Sequence, residues 1–129
     1  MKVLLRAVVT VCIVLLAYSC SQKSQDPTSQ ELQEKAKAGD ARAHLKLAQR
    51  YEAGVKGLPK DEEEAFQHYK KAAELGLIEG QFRLAICYEM GRGVEKDSEA
   101  ARTWMQKAAN GKSDDPREKM AIEQAKNQL

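Results

Sequence analysis

Histidine, cysteine and aromatic residues are all scarce in this chain. Its 129 residues include two histidines and three cysteines, and aromatic residues make up 5% of the total. Acid–base and nucleophilic catalysis need a nucleophile, a base and an orienting group that converge, and histidine is the usual base. The composition therefore predicts a protein that is not an enzyme and that has no catalytic residues, no metal site and no cofactor.

Cysteine pairs that could form a disulfide framework are also missing. Cys12 and Cys20 lie among the first 20 residues, which leaves Cys87 alone between Ile86 and Tyr88. An odd thiol can be reactive or can pair with a second molecule. On a helix beside a tyrosine, however, we favour the alternative of a buried structural thiol.

No excess charge of either sign remains beyond residue 20. The chain has 21 basic and 19 acidic residues, and two of the basic ones, Lys2 and Arg6, lie within the first 20 residues, where there is no acidic residue. The rest of the chain therefore carries 19 residues of each sign. Binding to nucleic acid depends on a basic excess, so the charge balance predicts no nucleic-acid partner.

The first 20 residues have the pattern of a secretion signal. Two basic residues form a charged start, and residues 7–16 form an apolar core that is too short for a stable membrane anchor. The core ends in Leu16-Ala17-Tyr18-Ser19-Cys20, which resembles the bacterial lipobox, in which the cysteine is lipidated and becomes the first mature residue. We expect a lipoprotein-type signal peptide over residues 1–20, with lipidation at Cys20. The alternative is an ordinary signal peptide that leaves Cys20 a free thiol.

A polar tether follows over residues 21–28, where the chain has nothing to bury. The serine directly after Cys20, in place of an aspartate, resembles outer-membrane sorting in bacteria with two membranes. We therefore expect an exported protein in the cell envelope, which a lipid on Cys20 anchors to the outer membrane so that it faces the periplasm.

The chain repeats one pattern between residues 43 and 111. The motifs of the first copy return in the second, with Tyr51-x2-Gly54, Asp61-x3-Ala65 and Lys71-Ala72-Ala73 matched by Tyr88-x2-Gly91, Asp97-x3-Ala101 and Lys107-Ala108-Ala109. The two aspartates are 36 residues apart and the two tyrosines 37 residues apart. A period of this length is typical of a stacked repeat array.

Each copy has the pattern of two amphipathic helices, which we call helix A and helix B. On helix A, a leucine, an alanine and a tyrosine fall on one face in both copies. Asp61 and Asp97 are placed to cap helix B, which carries a stripe of alanines. Alanines allow helices to approach closely, so each copy predicts an αα-hairpin that the next hairpin covers.

These motifs resemble the Sel1-like repeat, a relative of the tetratricopeptide repeat. The family pattern is A-x3-L-G-x2-Y-x2-G-x-G-V-x2-D-x3-A-x2-W-x2-K-A-A-x2-G, and the second copy matches it best, with Trp104 at the aromatic position. His68 stands at that position in the first copy. The resemblance implies an all-α fold, an αα-hairpin solenoid with Sel1-like repeats over residues 40–76 and 77–111, and partners that are proteins.

Single helices are predicted on both sides of the repeats. Thr28-x2-Glu31 has the form of a capping box, which opens a helix. Asp115-Pro116 opens a last helix with few apolar residues, and a polar outer face is what a terminal cap needs. We expect an N-terminal capping helix over residues 29–39 and a C-terminal capping helix over residues 112–129.

One row of residues on helix A of each copy, offset from the buried face, is the candidate partner groove. In tetratricopeptide relatives this row lines the concave surface, so the resemblance implies the same role here. We call it the helix A row; its members are Arg42, Leu45, Gln49, Glu52, Glu79, Phe82, Ile86 and Glu89. If its three apolar members are open, they form an apolar strip rimmed by charges, as in many peptide sites. The alternative is that the apolar members pack against adjacent helices, including the C-terminal cap.

The histidines are assigned no chemistry. His44 is expected at the edge of the hairpin, and His68 as an interior or interfacial ring. Glu64 and His68 are one helical turn apart and could share a metal, but two ligands are an incomplete site. The sequence therefore favours a non-catalytic adaptor that binds a peptide or helix of an envelope protein and has no small-molecule substrate. The alternative is a secreted or periplasmic inhibitor or immunity protein against a toxin or hydrolase.

Overall fold

The computed structural model describes residues 27–55 and 57–129, which form six α-helices and no strand. The helices are α1 (Ser29–Lys37), α2 (Ala41–Ala53), α3 (Glu62–Glu74), α4 (Ile78–Met90), α5 (Ser98–Ala109) and α6 (Pro116–Asn127). Helices α2 and α4 are the predicted A helices, and α3 and α5 the predicted B helices. The prediction of an all-α αα-hairpin solenoid is thus confirmed. The predicted signal peptide, the lipidation site at Cys20 and most of the tether lie outside the described residues.

Side-chain caps begin five of these six helices. Asp40, Asp61, Asp97 and Asp115 each accept hydrogen bonds from backbone N–H groups in the first turn of the helix that follows. Thr28 opens α1 with the predicted capping box. A cap of this kind contributes about 1 kcal/mol, so the aspartates fix where each helix begins.

Helix α4 begins differently from its neighbours. Its N-cap residue is Leu77, whose side chain cannot accept a hydrogen bond. The first free backbone group of the helix, the N–H of Ile78, instead donates to Oε1 of Glu118 at 3.4 Å. Glu118 belongs to α6, so the start of the fourth helix is completed by the sixth.

The core consists of three hydrophobic clusters in sequence along the stack of helices. The first joins α1 to α2 around Leu32 and Leu47. The second joins α2, α3 and α4 around Tyr69 and Leu84, and the third joins α4, α5 and α6 around Met105. Each cluster draws only on neighbouring helices, as in other repeat arrays, so the hairpins depend on each other for burial.

Gly93 marks a close approach of the two hairpins. Its backbone has a φ of 66°, which favours glycine, and a Cβ added there would lie 2.0 Å from the carbonyl oxygen of Glu62. The loop after α4 therefore lies directly on the first turn of α3. A side chain of any size at this position would have to displace backbone.

None of the helices in residues 27–55 and 57–129 has both the length and the apolar character needed to cross a membrane.

Candidate functional site

The structure buries two of the three apolar members of the helix A row. Leu45 is 7% exposed and packs in the second cluster, and Phe82 is 6% exposed and packs in the third. Ile86 is partly buried against the third cluster. The prediction of an open apolar strip is therefore wrong for Leu45 and Phe82, because neighbouring helices cover them. The alternative, in which these residues pack against adjacent helices, describes them correctly.

Two adjoining cavities nevertheless lie along this row. The first has a volume of about 270 Å³ and is lined by Arg42, Leu45, Lys46, Gln49, Leu77, Glu79, Asp115, Arg117 and Glu118. The second has a volume of about 170 Å³ and is lined by Glu79, Phe82, Arg83, Arg117, Met120, Ala121 and Gln124. Because Glu79 and Arg117 line both, we treat the two cavities as one surface and call it the groove. Helices α2, α4 and α6 form it.

Helix α6 supplies a wall of the groove that the sequence analysis missed. Counted from its N-cap Asp115, α6 places Arg117, Met120 and Gln124 at the same positions that Arg42, Leu45 and Gln49 occupy after Asp40. It therefore takes the place of helix A in a third hairpin. The signal that could have revealed this is the recurrence of Asp-x-Arg at residues 40–42 and 115–117.

An ion pair lies in the lining of the first cavity. Nη2 of Arg42, on α2, donates to Oδ2 of Asp115, the N-cap of α6. A hydrogen bond from the backbone N–H of Arg117 and the contact with Arg42 hold the pKa of the Asp115 carboxyl below its ordinary value. The carboxylate is thus ionised at neutral pH and links the first hairpin to the last helix.

Glu52, another member of the helix A row, is partly exposed, and its carboxylate is held by two other side chains. Its Oε2 accepts a hydrogen bond from the phenol of Tyr69 at 2.7 Å, and its Oε1 accepts one from Nη1 of Arg92 at 3.0 Å. The carboxylate therefore connects α2, α3 and the loop after α4. Burial is the largest cause that raises the pKa of Tyr69, and the hydrogen bond to Glu52 adds to it.

Cys87 lies near this carboxylate and is buried, as the sequence analysis expected. The side chain is 6% exposed, and burial raises the pKa of its thiol to about 11. The thiol is therefore protonated at neutral pH, which makes it a poor nucleophile. Cys87 is therefore packed in the core as a small side chain.

Glu89, the last member of the helix A row, lies apart from the groove. It is exposed and borders a different cavity, of about 510 Å³, with residues of α5 and the end of α6. This cavity shares no lining residue with the groove. The structure thus brings together Arg42, Leu45, Gln49, Glu79 and Phe82, and it leaves out Glu52, Ile86 and Glu89.

The two histidines contact each other between α2 and α3. The Nδ1 atoms of His44 and His68 are 2.9 Å apart, and the ring of Tyr51 stacks on His68 with centroids 5.7 Å apart. One Nδ1 must donate and the other accept, so at least one of the two rings is neutral. Burial is the largest cause that lowers both pKa values, and the His44 charge lowers that of His68 further. Within the described residues, no group of three or more histidine, cysteine, aspartate or glutamate side chains could hold a metal ion.

This histidine pair predicts that the free energy of unfolding falls as the solution becomes mildly acidic. Both histidines have folded pKa values below the ordinary 6.5, so the unfolded chain binds more protons as the pH falls through that value. The full stability is present above pH 6.5 and is lost progressively below it. Urea unfolding at about pH 7.5 and about pH 5.5 measures the loss.

The variant His68→Phe is the control for this effect. It places an aromatic ring where the Sel1-like pattern has tryptophan and removes one of the two protonation sites. We expect it to lose less stability than the wild type between the same two pH values. An equal loss in both proteins would show that other groups set the pH dependence.

Two stretches of the chain match the Sel1 repeat, residues 41–77 and residues 78–113. Chitin synthase regulator SKT5 of Saccharomyces cerevisiae is 43% identical over 72 residues, which make up 55% of this chain and 10% of that protein. Chitin synthase regulatory factor 2 of Schizosaccharomyces pombe is 34% identical over 84 residues, which make up 65% of this chain and 16% of that protein. The chain therefore spans a small part of the length of these relatives.

Similar solved structures come from bacteria. A Sel1 repeat protein of Oxalobacter formigenes has a TM-score of 0.61 and 34% identity, covering 74% of this chain and 69% of its own. Cysteine rich protein B of Helicobacter pylori has a TM-score of 0.67 and 27% identity, covering 78% of this chain and 68% of its own. A protective antigen of uropathogenic Escherichia coli with an SLR fold has a TM-score of 0.62 and 34% identity, covering 65% of this chain and 18% of its own.

Proposed function

Because the chain belongs to the Sel1 repeat family, we propose that it is a non-catalytic scaffold whose groove binds a peptide or helix of a partner protein. Sel1 repeat proteins mediate protein–protein interactions, and their fold is typically a non-catalytic interaction scaffold. The family supports this general role, whereas the partner depends on the particular surface that a chain presents.

The groove is the observation that carries the proposal. It combines apolar side chains from three helices, including Leu77 and the exposed Met120, with charged side chains around them. Peptide sites commonly have an apolar centre and a polar rim. The groove is also built from the helix positions that repeat along the array, so a bound segment would contact α2, α4 and α6 together.

The proposed place of action is the bacterial cell envelope. The support is the lipobox-like sequence that ends at Cys20 and the polar residues after it. A lipid on Cys20 would hold the scaffold at the outer membrane, where its partners would be other envelope proteins. The mass of the mature N-terminus tests this part of the proposal, since an unmodified terminus at another residue contradicts it.

A second candidate partner is an enzyme that the scaffold regulates or inhibits. The fungal relatives are named as regulators of chitin synthase, which is an enzyme. That naming favours a regulatory role over a passive structural one, and a toxin or hydrolase recovered as the partner would support the inhibitor or immunity protein. Both candidates use the same surface, so one experiment serves both.

A photo-crosslinking amino acid at Met120 should capture a protein partner from intact envelopes, whereas the same amino acid at Glu123 should not. Met120 lines the groove and is 64% exposed, and Glu123 is exposed on the same helix but borders neither cavity. Mass spectrometry of the crosslinked bands identifies the proteins captured from each of the two positions. Capture from Glu123 alone, or from neither position, would contradict the groove as the binding surface.

A further inference from the structure

The charges of the groove do not cancel each other. Two of its acidic groups are already engaged, because Asp115 pairs with Arg42 and Glu118 accepts from the backbone N–H of Ile78. The other charged side chains that line the groove are those of Lys46, Arg83, Arg117 and Glu79. Among the described residues none of these four has an ion-pair partner, and Glu118 keeps its charge because its contact is with a neutral N–H group, so three unpaired basic groups face two unpaired acidic groups.

Arg83 adds an independent observation. Its Nε atom is buried and has no hydrogen-bond partner among the described residues, although the side chain as a whole is only partly covered. Buried N–H donors are almost always satisfied in folded proteins, and arginine pairs with a carboxylate through its planar group of donors. Arg83 lines the same cavity as Arg117, so one acidic side chain entering there can reach both.

Apolar side chains line the same two cavities as these basic groups. Met120 is exposed and lines the cavity with Arg83 and Arg117, and Leu77 lines the adjoining cavity with Lys46. Methionine adapts its shape to different apolar partners. The two cavities, of about 270 Å³ and about 170 Å³, accommodate single side chains and not a folded domain.

From this arrangement we propose that the groove binds a short acidic segment of the partner protein, in which aspartate or glutamate residues flank an apolar residue. The carboxylates pair with Lys46, Arg83 and Arg117, and the apolar residue packs on Met120. The inference rests on the proposed role of the groove in protein binding and specifies what it binds. A nucleic acid is disfavoured, because Glu79 lies in the centre of the groove and the chain beyond residue 20 has no basic excess.

Fluorescence anisotropy with labelled peptides tests the proposal on the full mature chain. The probe is a peptide Glu-Asp-Leu-Glu-Glu, and its matched control is Gln-Asn-Leu-Gln-Gln, which keeps the shape and removes the charge. We expect the acidic peptide to bind at least about tenfold more tightly than the amide peptide. Its affinity should also fall between about 50 mM and about 300 mM salt, because the contacts are partly exposed charge pairs.

Variants of the protein identify the groups that are responsible. Arg117→Gln and Arg83→Gln should each weaken binding of the acidic peptide about tenfold, whereas Glu79→Gln should preserve or strengthen it. Arg102→Gln, on α5 and outside the groove, should leave it unchanged. Circular dichroism of each variant confirms folding, and the exposed Arg117 serves as the test if Arg83→Gln is unstable.

Each unfavourable result has a distinct meaning. Equal binding of the two peptides, no binding of either, or tighter binding of a single-stranded RNA than of the acidic peptide would overturn the inference. If crosslinking from Met120 captures a partner through a segment without acidic residues, the groove still binds protein but the acidic specificity is wrong. If no partner is captured there, the proposed function itself fails.

Discussion

Phe82→Glu should unfold the protein and not merely weaken partner binding. Phe82 is 6% exposed and packs in the third cluster with residues of α4, α5 and α6. A buried carboxylate without a partner costs on the order of 3–5 kcal/mol. A small domain has a free energy of unfolding of about 5–15 kcal/mol, so this cost is a large share of the total. A circular-dichroism melt should therefore show a large loss of cooperative structure.

Met120→Glu provides the matched control for this substitution. Met120 follows the N-cap of α6 at the same spacing as Phe82 follows the N-cap of α4, but it is 64% exposed. The same change in charge there should leave the melting temperature nearly unchanged. A melt of Phe82→Glu that matches the wild type would show that Phe82 is open to solvent and that the apolar strip exists after all.

Gly93→Ala should destabilise the protein by about 3 kcal/mol or more, because the added methyl group has no space. The new Cβ would lie 2.0 Å from the Glu62 carbonyl oxygen and 2.9 Å from the Glu63 Cα, and neither belongs to a flexible side chain. The first turn of α3 would have to move away from the loop, and this movement would push the two hairpins apart. Urea unfolding at neutral pH measures the loss.

Gly91→Ala separates this clash from the cost of the backbone conformation. Gly91 has a φ of 67°, nearly that of Gly93, but its nearest neighbour to an added Cβ is the Cβ of Lys96 at 3.5 Å, an ordinary contact. We expect it to cost about 1 kcal/mol, the usual penalty for a left-handed non-glycine residue. Equal losses in the two variants would mean that the loop does not pack tightly on α3.

The sequence was a sufficient guide to the helix pairs. Asp61 and Asp97 mark the starts of α3 and α5, and the repeated alanines predict the close packing of the hairpins, because both features act through local geometry. The burial of Leu45 and Phe82 could not be decided in the same way. Periodicity assigns a residue to a face of its helix, but whether that face is open depends on the next helix in the stack.

The contribution of α6 to the groove was missed for a related reason. Residues 116–127 are mainly polar, which is typical of a terminal cap, and they lack the tyrosine and glycines that mark helix A in the two repeats. Only the N-cap aspartate, the arginine two residues later and the glutamine nine residues later are shared with the first copy. A pattern of three residues is weak in sequence, yet it places Arg117 and Met120 in register with the helix A row. The lipid anchor at Cys20 stays a prediction.

The start of α4 has a consequence for the order in which the chain folds during synthesis. The N–H of Ile78 donates to Glu118, which is 40 residues further along the chain, so this hydrogen bond cannot form until Glu118 has been synthesised. At about 5–20 residues per second, a ribosome needs several seconds to cover that distance. During this interval α1, α2 and α3 already have their own caps, whereas the first turn of α4 is open to water. The first turn of α4 therefore obtains this hydrogen-bond partner only after the last helix has been made.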